Sequence, residues 1–216
     1  MKIRNNNLFA CLLAVSLSGS TMVACAQATT TGGTGAARTS ASDPAKTALL
    51  EPMRQMMEKL KKLQATGDPD FDYVLQAKIH AQGEQDLLKQ EVQNGKDTTL
   101  KQLAQNLLKA TQSEITQLDG TMRQIKPSRP NQAFTQQQSR NMQAMALKLQ
   151  QGGTEDKLTS DFDKNFVTVM LEHRQDAIDM ANTYLQYGNN SALKDYAREL
   201  VTKAQQEMTQ IKTALK

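Results

Sequence analysis

Hydrophobic residues over most of this chain recur every three to four positions, which is the spacing of one face of an α-helix. The first such segment begins near residue 46 and carries Met53, Met56, Met57 and Leu60. Leu, Ala, Gln, Lys, Glu and Met dominate these segments, and β-branched residues nowhere alternate with a period of two. The pattern predicts an all-α protein.

Glycine, proline and asparagine divide this pattern into six predicted helices, over 46–66, 70–94, 98–124, 132–150, 161–187 and 191–215. The links after residues 94 and 187 are so short that each joined pair of helices must form an antiparallel hairpin, and an antiparallel helical bundle is the natural packing. We expect Gly95, after the second helix, to take the left-handed conformation that often ends helices.

The second half of the chain resembles the first at an offset of 93 residues, which aligns Asp70 with Asp163 and His80 with His173 without a gap. Pro127 to Pro130 lie between the two copies. The sequence therefore predicts two three-helix repeats, 46–126 and 131–216, packed as one domain. The only two histidines of the chain occupy one position of this repeat.

Residues 1–25 have the pattern of an export signal, with Lys2 and Arg4 before a short apolar run and small residues up to Cys25. Met22 to Cys25 resemble a lipoprotein signal, which would make Cys25 a lipidated N-terminus that tethers the protein to a membrane. Cleavage near Ala26 by an ordinary signal peptidase is the alternative. Either route predicts a periplasmic or secreted protein.

Residues 26–45 are rich in Thr, Gly, Ser and Ala, and they predict a disordered tether. Loss of the signal, with Lys2 and Arg4, lowers the formal charge from +4 to +2. Because bases and acids interleave and aromatic residues make up only 4% of the chain, the sequence shows no nucleic-acid-binding pattern. Once the signal and Cys11 are removed, no internal disulfide can form.

Candidate chemistry lies in the fifth predicted helix, where Met170, His173 and Met180 share one face. Across the following turn, hairpin geometry places Met208 level with Met170, so Met170, His173 and Met208 could converge on one ion. Thioether and imidazole ligands favour a soft ion, above all Cu(I). The alternative is that these methionines only fill the core.

Two other candidate ligands fit this set less well. Met180 lies too far along the helix from His173 to join the same ion, so it belongs to the core or to a second site. His80 has the repeat position of His173, but the same construction places Ala77 and Ile115, and no methionine, beside it.

The stretch Met170-x-x-His173-Arg174-x-x-Ala177-Ile178-x-Met180-Ala181, with Gln206-Glu207-Met208 after it, resembles the bacterial family catalogued as domain of unknown function 305. The resemblance covers 161–215 and, more weakly, 70–123; the related domain of unknown function 4142 fits less well. It implies a ferritin-like, extracytoplasmic four-helix protein whose Met- and His-rich members bind copper. Met170, His173 and Met180 match the ligands it implies, whereas Arg174 stands where the family has a second histidine.

We therefore expect a non-enzymatic exported protein that binds copper, of a buffering or tolerance type. No Glu-x-x-His pair of a di-iron bundle and no glycine-rich phosphate loop occurs in the sequence. The alternative is a structural or interaction protein of the cell envelope whose metal site has decayed.

Overall fold

The computed structural model describes residues 43–150 and 153–215, and these residues form helices without any strand. The helices are α1 (Pro44–Lys62), α2 (Pro69–Asn94), α3 (Thr98–Met122), α4 (Gln132–Lys148), α5 (Thr154–Lys157), α6 (Phe162–Tyr187) and α7 (Ser191–Ala214). The predicted all-α fold is confirmed. The predicted signal peptide with Cys25, and the predicted tether up to residue 42, lie outside the described residues.

Each of the six long helices follows an aspartate or asparagine whose side chain accepts a hydrogen bond from a backbone N–H of the first turn; these caps are Asp43, Asp68, Asp97, Asn131, Asp161 and Asn190. Such caps satisfy donors that have no partner within the helix. The predicted starts are therefore correct to within two residues. The four-residue α5 was not predicted, because it is too short to show a helical period.

α1 continues through Pro52, which the sequence interpretation did not weigh. Proline removes one backbone hydrogen bond from a helix interior. Residues on both sides of Pro52, among them Leu49, Met53 and Met57, are buried against the rest of the bundle. This packing holds the two parts of α1 in one helix.

The backbone of Gly95 was predicted to be left-handed, and this is wrong. The backbone of Gly188, after α6, is not left-handed either. Their backbones are extended, with φ −62° and ψ 151° at Gly95 and φ −69° and ψ 156° at Gly188. At both turns the side chain of the residue four positions earlier folds over the glycine: Glu91 covers Gly95, and Tyr184 covers Gly188. A Cβ atom on either glycine would collide with that side chain. Glycine is required there because it has no side chain.

α2 and α6 form the centre of the bundle. Each packs along the helix that follows it in the chain, and the two also contact one another and α1. Tyr73 of α2 stacks on Tyr184 of α6, with ring centroids 4.2 Å apart. Two turns further along α2, His80 stacks on His173, so α2 and α6 run antiparallel.

Asp70, in the first turn of α2, holds the α6–α7 turn. Its Oδ1 accepts hydrogen bonds from the backbone N–H groups of Asn189 at 2.8 Å and Asn190 at 3.0 Å. The Tyr184 hydroxyl donates a third bond, at 2.6 Å. One carboxylate thus fixes the start of one central helix against the end of the other.

Asp163, at the start of α6, holds the α2–α3 turn in the same way. Its Oδ1 accepts hydrogen bonds from the backbone N–H groups of Lys96 at 2.8 Å and Asp97 at 3.2 Å. Here the buried carboxyl of Glu91, which folds over Gly95, lies near Asp163. Burial, followed by the interaction with Asp163, raises the pKa of Glu91 to about 8. At neutral pH the carboxyl of Glu91 is therefore mostly protonated.

We expect the protein to lose stability as Glu91 ionises. The pKa of Glu91 in the folded state is about 8, above the ordinary 4.5. The protonated side chain therefore makes its full contribution to the free energy of unfolding below pH 4.5, and this contribution is lost as the pH rises through 8. The loss is bounded by about 1.4 kcal/mol for each unit of pKa difference. Because Glu91→Gln keeps a donor and does not titrate, the free energy of unfolding should fall less with pH in this variant. Urea denaturation across this pH range measures the difference.

Glu199→Gln is the matched control, because Glu199 is an exposed glutamate of α7. This variant should follow the pH profile of the wild type. Identical profiles for the wild type and Glu91→Gln would contradict the raised pKa of Glu91.

Candidate metal-binding site

The two histidines meet where α2 crosses α6. The rings of His80 and His173 stack with centroids 3.7 Å apart and planes 15° from parallel. Both residues are buried, with 4% and 2% of their surface exposed. Two residues at one position of the predicted repeat are therefore direct neighbours in the fold.

The histidine pair stands between two cavities. The cavity on the His173 side is lined by Met53, Met56 and Met57 of α1 and by Met145 of α4, and we call it the methionine cavity. Its volume, measured as the space open to the centre of a water molecule, is about 20 Å³. About 10–15 Å³ by this measure holds one water molecule, so the methionine cavity has room for a single small ion.

Acidic and basic side chains complete the lining of the methionine cavity. Asp176 forms an ion pair with Lys148, and Glu172 forms one with Lys157 at 2.8 Å and accepts a hydrogen bond from Thr154. Burial raises the pKa of Asp176 to about 6, and Lys148 opposes this rise. The thioethers are therefore bordered by carboxyl groups that already have partners.

The imidazoles are neutral at neutral pH. Burial, and next the charge of Arg174, lowers the pKa of His80 to about 3. Burial also lowers the pKa of His173 well below its ordinary value, with His80 as the next cause. Within the described part of the chain, neither ring nitrogen of His173 has a hydrogen-bond partner. The lone pair of a neutral, buried imidazole is therefore available to a ligand.

A buried charge network lies on the other side of the histidine pair. The Arg174 guanidinium binds both carboxylate oxygens of Glu84, at 2.5 and 2.6 Å, and Glu207 Oε2 at 2.6 Å. The Thr111 hydroxyl also donates to Glu84 Oε1, at 2.8 Å. Burial raises the pKa of Glu84 to about 7, and Arg174 opposes part of that rise. Arg174, with its charge compensated, lines the His80-side cavity and not the methionine cavity.

The predicted ligands fall in different places. His173 lines the methionine cavity, whereas Met180 lines the cavity on the His80 side. Met170 is a fully buried core residue that lines neither cavity, and the half-buried Met208 also lines neither. The hairpin argument predicts how far along the neighbouring helix a residue lies. It does not predict the direction around the helix axis in which the side chain points. Glu207 faces Arg174, and its neighbour Met208 points in another direction, because successive helical residues are rotated by about 100°.

The sequence interpretation missed the methionines that do line the cavity. Met53, Met56 and Met57 have the i, i+3, i+4 spacing of one helix face, and they were interpreted only as the apolar face of an amphipathic helix. Nothing in the local pattern brings α1 to His173, because that contact depends on how α1 packs across α2 and α6. The clustering of three methionines within five residues was the available signal.

The donors at this site are chiefly sulfur. Residues 43–150 and 153–215 contain no group of three or more His, Cys, Asp or Glu side chains suited to a metal ion. The lining of the methionine cavity offers four thioethers, the imidazole of His173 and the carboxyls of Glu172 and Asp176.

None of the helices described is both long enough and apolar enough to cross a membrane.

The family described as "Domain of unknown function (DUF305)" matches residues 80–215, more than half of the chain. The chain belongs to the DUF305 family. No curated protein and no solved structure matches it. The DUF305 match begins within the first predicted repeat and runs through the second, and the division into two copies stays a prediction. The region contains His80, His173 and Met145 but not the methionines of α1.

We expect Arg174→Met to destabilise this DUF305 protein by about 3–5 kcal/mol, because it leaves the buried carboxylates of Glu84 and Glu207 without their partner. The control is Arg198→Met, which removes an exposed ion pair with Asp195 on α7 and should cost about 0–1 kcal/mol. Urea denaturation measures both. Equal small effects would show that the buried network contributes no more than a surface pair.

Proposed function

We propose that this DUF305 protein binds Cu(I) in the methionine cavity. One observation carries the proposal: His173, a neutral buried imidazole whose ring nitrogens have no partner among the described residues, lines a cavity with four methionines. A buried polar atom without a partner costs free energy, and coordination to a metal ion would supply the missing interaction. His173, Met53, Met56, Met57 and Met145 are the proposed ligands.

The chemistry of these donors supports a soft monovalent ion. Thioether sulfur and imidazole nitrogen suit Cu(I), whereas Mg²⁺ and Ca²⁺ prefer oxygen ligands. Lys148 lines the same cavity, but it is paired with Asp176, and Glu172 adds a second carboxyl, so the two acids offset the repulsion that Lys148 would exert on a cation. Arg174, which would repel a cation, lies on the far side of the histidine pair and is neutralised by Glu84 and Glu207. The residues present therefore fit the ion.

The size of the methionine cavity suits the binding of a single ion, because its volume is about 20 Å³. Buffering, or tolerance of excess copper, requires only that the ion is held away from other reactions. We therefore propose a non-enzymatic role in binding copper.

The sequence supports a location outside the cytoplasm. The export signal over 1–25 and the polar tether over 26–45 suit a domain held at the cell envelope. Lipidation of Cys25 would anchor the tether in a membrane, and cleavage near Ala26 would release the domain. The proposed copper site does not depend on which of these routes operates.

A structural or interaction protein of the envelope is the second candidate, and Arg174 is the observation that favours it. The resemblance noted above implies a second histidine at this position. In this chain the position holds a buried arginine that is paired with Glu84 and Glu207. A site that has exchanged a ligand for a buried ion pair is what decay of a metal site would produce.

Titration of the purified mature protein with Cu(I), in competition with a chromophoric chelator, tests the copper proposal. We expect saturable binding of one equivalent. His173→Ala should weaken the affinity at least tenfold because it removes the imidazole. Met56→Leu combined with Met57→Leu should do the same, because leucine keeps the volume but provides no sulfur.

Met170→Leu is the matched control for the methionine variants, since Met170 is buried on the same helix as His173 but lines neither cavity. Its affinity should equal that of the wild type. Loss of binding in Met170→Leu, with unchanged binding in the α1 variants, would move the site to the predicted Met170, His173 and Met208 set. Failure of the wild type to compete with the chelator would favour the structural role.

Metabolic labelling with a palmitate analogue tests the anchor. If Cys25 is lipidated, the protein should carry label and partition with membranes, and Cys25→Ser should abolish both. A soluble, unlabelled protein whose N-terminus begins near Gln27 would establish cleavage by the ordinary signal peptidase.

A further inference from the structure

We propose that Glu84 holds the imidazole of His173 in the tautomer that carries its proton on Nε2, which leaves Nδ1 as the nitrogen that binds copper. The second half of this inference, in which Nδ1 binds copper, rests on the proposed function. Its first half, the tautomer, is a property of the protein without metal. Glu84 would therefore be a positioning residue rather than a ligand.

The geometry of the two side chains carries the first step. His173 Nε2 lies 3.7 Å from Glu84 Oε2, and both side chains are buried, with 0% and 2% of their surface exposed. The two imidazole nitrogens lie on different edges of the ring, so Nδ1 cannot face the same carboxylate oxygen. Arg174 and Thr111 favour the ionised form of Glu84. In that form the carboxylate accepts hydrogen bonds, and only a protonated Nε2 has a hydrogen to give it.

The hydrogen bonds of Glu84 leave a position for this proton. Oε1 already accepts from the Thr111 hydroxyl and from Arg174, whereas Oε2 accepts only from Arg174. Each carboxylate oxygen offers about two lone-pair positions, so Oε2 has one left. It is Oε2 that lies beside His173 Nε2.

The distance of 3.7 Å is longer than a hydrogen bond, and a relative movement of about 0.7 Å would close it. Metal binding at Nδ1 withdraws electrons from the ring and makes the N–H on the opposite edge a stronger donor. Histidines that bind metals commonly donate this second N–H to a carboxylate. We therefore expect the contact to shorten when the ion binds.

Arg174 has a defined part in this arrangement. Its guanidinium holds both oxygens of Glu84 and is itself held by Glu207 of α7, so the carboxylate cannot turn away from His173. The arginine thus supports the orientation of His173 without approaching the ion. Glu207 also forms an ion pair with Arg174, through one guanidinium nitrogen, but it has no such contact with either histidine.

Long-range proton–nitrogen correlation spectra of the metal-free protein, labelled with ¹⁵N in histidine, test the tautomer. The chain has only two histidines, so His80→Gln suffices to assign the signals. We expect His173 to show a protonated Nε2 and an unprotonated Nδ1. A proton on Nδ1 would overturn the inference, whether or not the protein binds copper.

Ag(I), a diamagnetic analogue of Cu(I), then identifies the nitrogen that binds. We expect the His173 Nδ1 signal to move on addition of the ion. Movement of Nε2 alone would overturn the inference and leave the proposed function intact. No change at either nitrogen would contradict the proposed function, and the tautomer measured without metal would still decide the role of Glu84.

Glu84→Gln and Glu207→Gln form a matched pair of variants, because each removes one carboxylate partner of Arg174 and only the first lies beside His173. Glu84→Gln should weaken Cu(I) binding about 10–100-fold, the usual effect of losing such a carboxylate, and should mix the tautomers of His173. Glu207→Gln should change neither. Equal losses of affinity in the two variants would show that Glu84 acts only through stability. If Glu84→Gln does not fold, the tautomer in the wild type decides.

Discussion

The contact between α2 and α6 is the constraint on which the rest of the structure depends. Stacking of Tyr73 on Tyr184 and of His80 on His173 fixes the relative rotation of the two central helices. Once that rotation is fixed, one side of the histidine pair faces α1 and α4, and the other faces the charge network that α7 completes. The histidines therefore act as a partition between two chemically different cavities.

This partition explains how a buried arginine can lie next in sequence to a proposed metal ligand. Adjacent residues on a helix point in different directions, so His173 and Arg174 enter different cavities although their backbones are joined. The guanidinium neutralises two carboxylates that would be costly to bury alone, and it retains its own charge because they surround it. The sulfur donors stay apart from the Arg174 network, and the charged groups at their own cavity are Lys148, Asp176 and Glu172.

Sequence reasoning predicted the helices well and the site only in part, for physical reasons. Starts such as Asp68 and Asp97 are determined by local capping, so they could be placed closely, whereas the ends of α1 and α4 depend on packing. Gly95 was misjudged because its role depends on where the Glu91 side chain folds. His173 could be recognised from its own helix, but its methionine neighbours come from α1 and α4, and only the tertiary fold brings them together.

The proposed ligand set also crosses the boundary of the family match. His173 and Met145 lie within the DUF305 region, whereas Met53, Met56 and Met57 belong to α1, which precedes it. The residues of the histidine pair and of the charge network all lie inside the matched region; they are His80, His173, Glu84, Thr111, Arg174 and Glu207. Three of the four methionines that line the cavity lie before it, on α1. The proposed ligand set therefore combines one imidazole and one thioether from the matched region with three thioethers from the helix that precedes it.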